Sequence, residues 1–137
     1  MLLTKQDKVI ASITVLHGTL GSLWAFFVAS QNAFPVFFLV TNSTLAAMGL
    51  ASGVGSLLRL RWALHLMLLF YLIQLIHVFT QQIQFSFTLG ANFIFSLGWW
   101  APNAQVGINI FALIMLVWSS VRAVRRLRSD KLAGKLA

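Results

Sequence analysis

Polar side chains within one apolar stretch are the first candidates for chemistry. Tyr71, Gln74, His77 and Gln81 follow one another at spacings of three, three and four, so they share one face of a helix. A histidine beside amides could hold a small polar molecule by hydrogen bonding. No carboxylate lies near His77 in the sequence, which argues against proton- or sodium-coupled transport.

Two further amides are predicted to lie at the depth of this histidine once the chain is arranged as antiparallel helices. Polar groups buried in lipid need partners. The shared depth therefore predicts either hydrogen bonds between helices or a small polar pocket that opens to the outside. The possible pocket comprises Asn42, Gln74, His77 and Asn109.

The sequence favours no catalytic site, no metal site and no cofactor. It has no cysteine and only two acidic residues, Asp7 and Asp130, whereas hard cations prefer carboxylates. It contains neither a Walker loop nor an HExxH motif. Haem needs two histidines facing each other, and His17, His65 and His77 are predicted at different depths. The protein is therefore predicted not to be an enzyme.

The composition indicates a membrane protein. Hydrophobic residues make up 59% of the chain and charged residues 9%, whereas ordinary soluble domains have about 25% charged residues. A chain of 137 residues cannot hide so much apolar surface in its own core. Most of the protein surface is therefore predicted to face lipid and not water.

The apolar segments predict an all-α membrane protein, a bundle of four transmembrane helices in a single domain that covers residues 1–137. Arg59 and Arg61 precede the third helix, and Pro35 and Pro102 suit helix starts. The predicted helices cover about 9–30, 34–58, 62–81 and 104–128, with an outer aromatic segment at 82–103 and a basic cytoplasmic tail at 122–137.

The outer aromatic segment repeats an F-x-F-x-L-G pattern after eight residues, at 85–90 and 93–98. Alternating large residues are typical of strands, and 90–92 supplies turn residues, so the pattern predicts a short β-hairpin at the membrane interface. Trp99 and Trp100 fit the interfacial aromatic belt. The alternative is that the third helix continues to about Leu89 and a re-entrant segment follows.

The basic residues predict the topology. With four spans, all ten fall on one side of the membrane, which the positive-inside rule makes the cytoplasm, so both termini are inside. The net charge of +8 then needs no nucleic acid as a partner. The tail is predicted to contact lipid headgroups or a partner through Arg122, Arg125, Arg126 and Arg128.

Small residues predict where helices approach closely. Gly49 and Gly53 form a GxxxG pair in the second helix, and a small-residue stripe runs along the first. These faces pack either against each other or against another chain. The predicted packing residues are Gly18, Gly21, Ala25, Gly49 and Gly53.

These features predict a small non-enzymatic protein that acts by contact with another membrane protein. It would be an accessory, regulatory or immunity-type partner in a cell membrane, by its size and charge asymmetry the bacterial inner membrane. One alternative is a self-assembling pore or holin-like protein, which would form homo-oligomers. The other is a small-molecule binder or carrier that uses the outward-facing polar pocket.

The carrier alternative gives a direct test at His77. Replacing His77 with alanine is expected to abolish ligand binding and to leave the fold intact, because the imidazole would be the deepest polar group of the pocket. Isothermal titration with candidate ligands measures this, with His65→Ala as the control outside the pocket. Binding that survives His77→Ala would show that the site is wrongly assigned.

Overall fold

In a computed structural model, the described residues of the protein form four helices and a four-stranded antiparallel sheet. The structure describes residues 4–30, 36–80, 84–85, 94–101 and 104–133. The helices are α1 (Lys5–Ser30), α2 (Val36–Leu57), α3 (Arg61–Ile73) and α4 (Ile110–Ala133). The strands, which all lie between α3 and α4, are β1 (Ile76–Thr80), β2 (Gln84–Phe85), β3 (Ile94–Ala101) and β4 (Ala104–Asn109).

Two of the described helices, α1 and α2, are long and apolar enough to cross a membrane by length and composition. Helix α3 is also apolar but has only 13 residues. The described part of the chain is therefore mostly helical, with two candidate membrane spans. Both helices lie close to their predicted bounds.

Helices α1 and α2 pack backbone to backbone through glycines. A Cβ atom added at Gly18 would lie 2.6 Å from the backbone nitrogen of Leu50, and one added at Gly53 would lie 2.7 Å from that of Val15. No side chain fits at such distances, so the two helix axes approach as closely as small residues allow. Gly18, Gly49 and Gly53 thus meet neighbours within the same chain.

A tight turn reverses the chain between α2 and α3. The N–H of Arg59 donates to the Ser56 carbonyl at 3.1 Å, and the N–H of Leu60 donates to the Gly55 carbonyl at 2.9 Å. These two bonds form a Schellman motif, with Arg59 in the left-handed conformation at a φ of 66°. The turn makes α3 antiparallel to α2 and brings Gly55 against Ala63.

The core lies where α3 meets the other helices. Met67, Phe70 and Tyr71 on α3 and Met115 on α4 are almost completely buried. The same cluster contains small and branched residues from the three other helices, which fill the centre of the bundle: Ile10, Leu45, Ala46 and Ala112.

The third and fourth helices are shorter on the sheet side than the sequence predicts. Helix α3 ends at Ile73 instead of residue 81, and it does not continue to Leu89. Helix α4 begins at Ile110 instead of residue 104. β-branched residues alternate with other types at 76–80 and 106–110, and this period of two favours strands over helices.

The sheet has the order β2-β1-β4-β3, with β1 and β4 at its centre. Ile76 of β1 pairs with Ile108 of β4, and Phe95 of β3 pairs with Ile108 from the other side. Among the described residues, Phe85 of the first F-x-F-x-L-G copy pairs with Val78 of β1 and not with β3, because β2 and β3 lie at opposite edges of the sheet, whereas residues 86–90 of that copy lie outside the described part. The predicted turn at 90–92 lies outside the described residues.

Substitution of Gly18 tests the close contact between α1 and α2. Gly18→Ala is expected to lower the free energy of unfolding by about 1–3 kcal/mol, because the new methyl group would meet backbone atoms that cannot rotate away. Chemical unfolding in detergent, followed by circular dichroism, measures the change.

Ala47→Leu is the matched control, because Ala47 lies exposed on α2. This control is expected to unfold like the parent chain. An equal loss in both variants would contradict the proposed backbone contact.

Candidate functional site

The candidate site is the junction at which α3 becomes β1 and β4 becomes α4. The N–H of Asn109 donates to the Leu75 carbonyl at 3.0 Å, which joins the end of β4 to the chain just after α3. The side-chain Oδ1 of Asn109 accepts the N–H of Ala112 at 3.2 Å, so Asn109 also caps the N-terminus of α4. One residue therefore fixes both the strand pairing and the helix start.

Three of the four residues of the predicted pocket are buried near this junction. Asn42 is 3% exposed, and Gln74 and Asn109 are fully buried. Asn42 Nδ2 donates to the Phe38 carbonyl at 2.8 Å, and Gln74 Nε2 donates to the Phe70 carbonyl at 3.4 Å. These amides bond to the preceding turn of their own helices, which is a structural role.

The structure places these side chains at similar levels. The contacts of Gly55 with Ala63 and of Gly49 with Phe70 set the antiparallel register of α2 and α3, and that register carries Asn42 to the level of the α3–β1 junction. The backbone of His77 pairs with Gly107 of β4, but its side chain lies outside the described part. Ligand binding by this set remains a prediction.

A second polar centre surrounds His17, which the sequence analysis considered only as a haem ligand and did not favour. Its imidazole lies 5.5 Å from the ring of Phe70, 6.0 Å from Tyr71 and 5.3 Å from Phe111, measured between ring centroids. His17 is buried, and its Nε2 has no hydrogen-bond partner among the described residues. Because aromatic rings surround it, the imidazole of His17 packs as an aromatic ring between α1, α3 and α4.

A short hydrogen-bond chain holds Tyr71 beside this histidine. The hydroxyl of Thr14 lies 2.9 Å from the Ile10 carbonyl and 3.0 Å from the Tyr71 hydroxyl. Because the Thr14 proton goes to the carbonyl, the Tyr71 hydroxyl donates to Thr14. This satisfies the buried phenol and ties α3 to α1.

The third polar centre joins the two ends of the chain at the basic end of the bundle. Thr4 and Asp7 form a capping box: the Asp7 N–H donates to Thr4 Oγ1 at 3.2 Å, and the Thr4 N–H donates to Asp7 Oδ2 at 3.0 Å. The guanidinium of Arg122 on α4 donates to both carboxylate oxygens of Asp7 at 2.9 Å. Such bidentate pairs are strong and directional.

Asp7 lies in the first turn of α1, before the apolar run that begins at Val9. Burial alone would raise the pKa of its carboxyl group, but the hydrogen bonds from Arg122 and Thr4 and the charge of Arg126 outweigh this. Together they hold the pKa of Asp7 well below its usual range. Asp7 therefore stays ionised and keeps α1 and α4 together.

The predicted contact of the basic tail with lipid headgroups or a partner is weakened at Arg122. Arg122 is engaged with Asp7, Thr4 and Gln6 in the same chain, so its charge is partly neutralised. Arg125 is exposed, and Arg126 lies 3.7 Å from Asp7. Contact of the tail with lipid headgroups or a partner remains a prediction, while the side chain of Arg128 lies outside the described part.

The capping box could have been found from the sequence, because Thr4 and Asp7 have the spacing of this motif before an apolar run. Its ion pair with Arg122 could not, because 115 positions separate the two residues. The aromatic surroundings of His17 likewise need three helices in place.

The three polar centres thus belong to a mostly helical protein whose described strands form one sheet between α3 and α4. Comparison with known proteins adds no further identification. No protein-family model, no curated protein and no solved structure matches the chain.

The ion pair between Asp7 and Arg122 is expected to stabilise the fold. Asp7→Asn should lower the free energy of unfolding by about 1.5–3 kcal/mol, because it removes a charge-assisted bidentate hydrogen bond and leaves two arginines without their carboxylate. Unfolding in detergent measures this. Arg125→Gln is the control on the exposed surface, and it should have little effect.

The same pair predicts the response to pH. Because folding lowers the pKa of Asp7, its contribution is fully present above the unfolded carboxyl pKa of about 3.9 and is lost as the pH falls towards the folded value. The unfolding free energies of the parent and Asp7→Asn chains should therefore converge on acidification. A difference that does not change with pH would contradict this role.

Proposed function

We propose that this chain is a small, non-enzymatic integral membrane protein that acts by binding another membrane protein, as an accessory, regulatory or immunity-type subunit. The observation that carries the proposal is strand β3. It has eight residues and, among the described strands, a partner on one side only. The edge of β3 that no described strand covers would offer backbone N–H and C=O groups to a strand of another chain.

The surface of the α1–α2 hairpin supports the membrane location. The sheet-side halves of both helices expose large apolar side chains, including Phe26 at 77% and Phe37 at 80%. Both helices extend past the level at which α3 and α4 become strands. Exposed apolar surface of this extent is unusual for a monomer in water, whereas lipid covers it without cost.

The positions of the charges in the fold support the predicted orientation. The ion pair of Asp7 with Arg122 and the turn that contains Arg59 lie at the same end of the bundle, because α2 is antiparallel to both α1 and α3. By the positive-inside rule this end is cytoplasmic. The sheet then lies on the outer side, where an immunity-type protein would meet a pore-forming toxin.

Self-association is the second candidate function, and the same edge favours it. Strand β3 contains no charged residue, so nothing opposes antiparallel pairing with a second copy. A pore would need several chains, because Met67, Phe70 and Met115 fill the centre of one bundle. The mass of the native complex separates this candidate from the first.

The proposed edge is tested by proline substitution at two neighbouring positions of β3. Neighbouring N–H groups of a strand point to opposite edges, so one of Ser96→Pro and Leu97→Pro breaks the pairing with β4, and the other removes an N–H only from the free edge. The free-edge variant is the one that unfolds like its alanine control. It is expected to lose the partner in native mass spectrometry of protein extracted from its own membranes.

Ser96→Ala and Leu97→Ala are the matched controls and should keep the partner. A second polypeptide lost only with the free-edge proline supports the accessory function. A loss of homo-oligomers would support self-association instead. A partner that remains bound to the free-edge variant would refute pairing through β3, and a chain that is always alone would refute both functions.

A further inference from the structure

The central strands of the sheet carry apolar residues on their exposed face. Ile76 of β1 is 52% exposed, and Ile108 and Val106 of β4 are 40% and 36% exposed. Ile76 pairs directly with Ile108, so the two share this face. Gly107 and Asn109 alternate with them on β4 and are buried. A sheet in water shows the opposite pattern, with polar residues outside.

Helix lengths place this part of the sheet at a defined depth. Helix α2 ends and helix α3 begins at the turn that contains Arg59, and the two helices have 22 and 13 residues. At about 1.5 Å per residue they rise about 33 Å and about 20 Å. With the turn at the inner boundary of a hydrocarbon core about 30 Å thick and the helices along the membrane normal, α3 ends about 10 Å before the core does.

The helices below the exposed face also carry exposed apolar residues. Leu69 and Leu72 lie seven and four residues before Ile76, and Ile114 and Val117 lie on α4 beyond Ile110. All of these side chains are exposed. Exposed apolar side chains therefore occur both on the helices and on the two central strands that join them.

We infer that the sheet face formed by Ile76, Val106 and Ile108 lies against the acyl chains of the outer leaflet. This inference rests on the proposed membrane location. Backbone polarity does not oppose it, because β1 and β4 pair with each other at the centre of the sheet and satisfy the ladder between them. The sheet then forms part of the lipid-facing surface of the protein, and the residue pairs nearest the helices lie within the hydrocarbon core.

Depth-dependent fluorescence quenching tests the inference. The chain has no cysteine, so a single cysteine at Ile108 carries a bimane label without further changes. The labelled full-length protein is placed in phosphatidylcholine vesicles with brominated acyl chains. Quenching at Ile108 is expected to match that at Val117, an exposed position of α4 that serves as the lipid control. A label at Lys8 should escape quenching.

The outcomes separate this inference from the proposal on which it rests. Quenching at Val117 but not at Ile108 would overturn the lipid contact and leave the membrane location standing. In that case, reaction of unlabelled Ile108→Cys with an impermeant maleimide would show a face in water, and protection would show a face covered by protein. No quenching at either position would overturn the membrane location as well.

A bimane label at Ile76→Cys repeats the measurement in case the label at Ile108 disturbs the fold locally. The two residues share the face and lie on different strands. Circular dichroism confirms that each labelled chain keeps its helices. If only one of the two variants folds, its quenching decides the question. Quenching at one folded variant and not at the other would refute a continuous lipid-facing surface.

Discussion

The hydrogen bond from the Asn109 N–H to the Leu75 carbonyl is the constraint on which the rest of the structure depends. It closes the gap between the end of α3 and the end of β4, so both chain segments change from helix to strand at one level. Asn109 then caps α4 with its side chain, and the buried Gln74 lies immediately before Leu75. Where a buried chain leaves a helix, its backbone N–H and C=O groups need new hydrogen-bond partners. Here β1 and β4 supply these partners to each other.

Two kinds of helix contact hold the bundle below this level. Helices α1 and α2 meet through glycines and make their contact with backbone atoms, whereas α3 and α4 meet the others through large side chains such as Phe70 and Met115. Two polar contacts among the described residues join different helices at key places. Tyr71 ties α3 to α1, and Asp7 ties α1 to α4, so the first helix is bonded to both of the helices that carry the sheet.

The sequence predicted α1 and α2 closely, because long apolar runs bounded by polar residues have few alternatives. The prediction failed at Ile76–Thr80, where the apolar run of α3 continues and the alternation of β-branched residues that favours a strand covers only five positions. The repeat at 85–97 correctly indicated strands at its second copy, but strand partners depend on topology. Of the candidate site, the polar residues could be listed from the sequence, whereas the local bonds of Asn42 and Gln74 could not.

The turn between α2 and α3 has one further consequence. Its left-handed position would suit glycine, yet it is occupied by Arg59, which accepts a backbone conformation that costs L-residues about 1–2 kcal/mol. A glycine would relax the folded chain but would halve the positive charge of the loop, which otherwise retains only Arg61. Under the proposed topology, the charge of Arg59 helps to orient the α2–α3 hairpin as it enters the membrane. The folded protein then keeps the unfavourable backbone conformation at this residue.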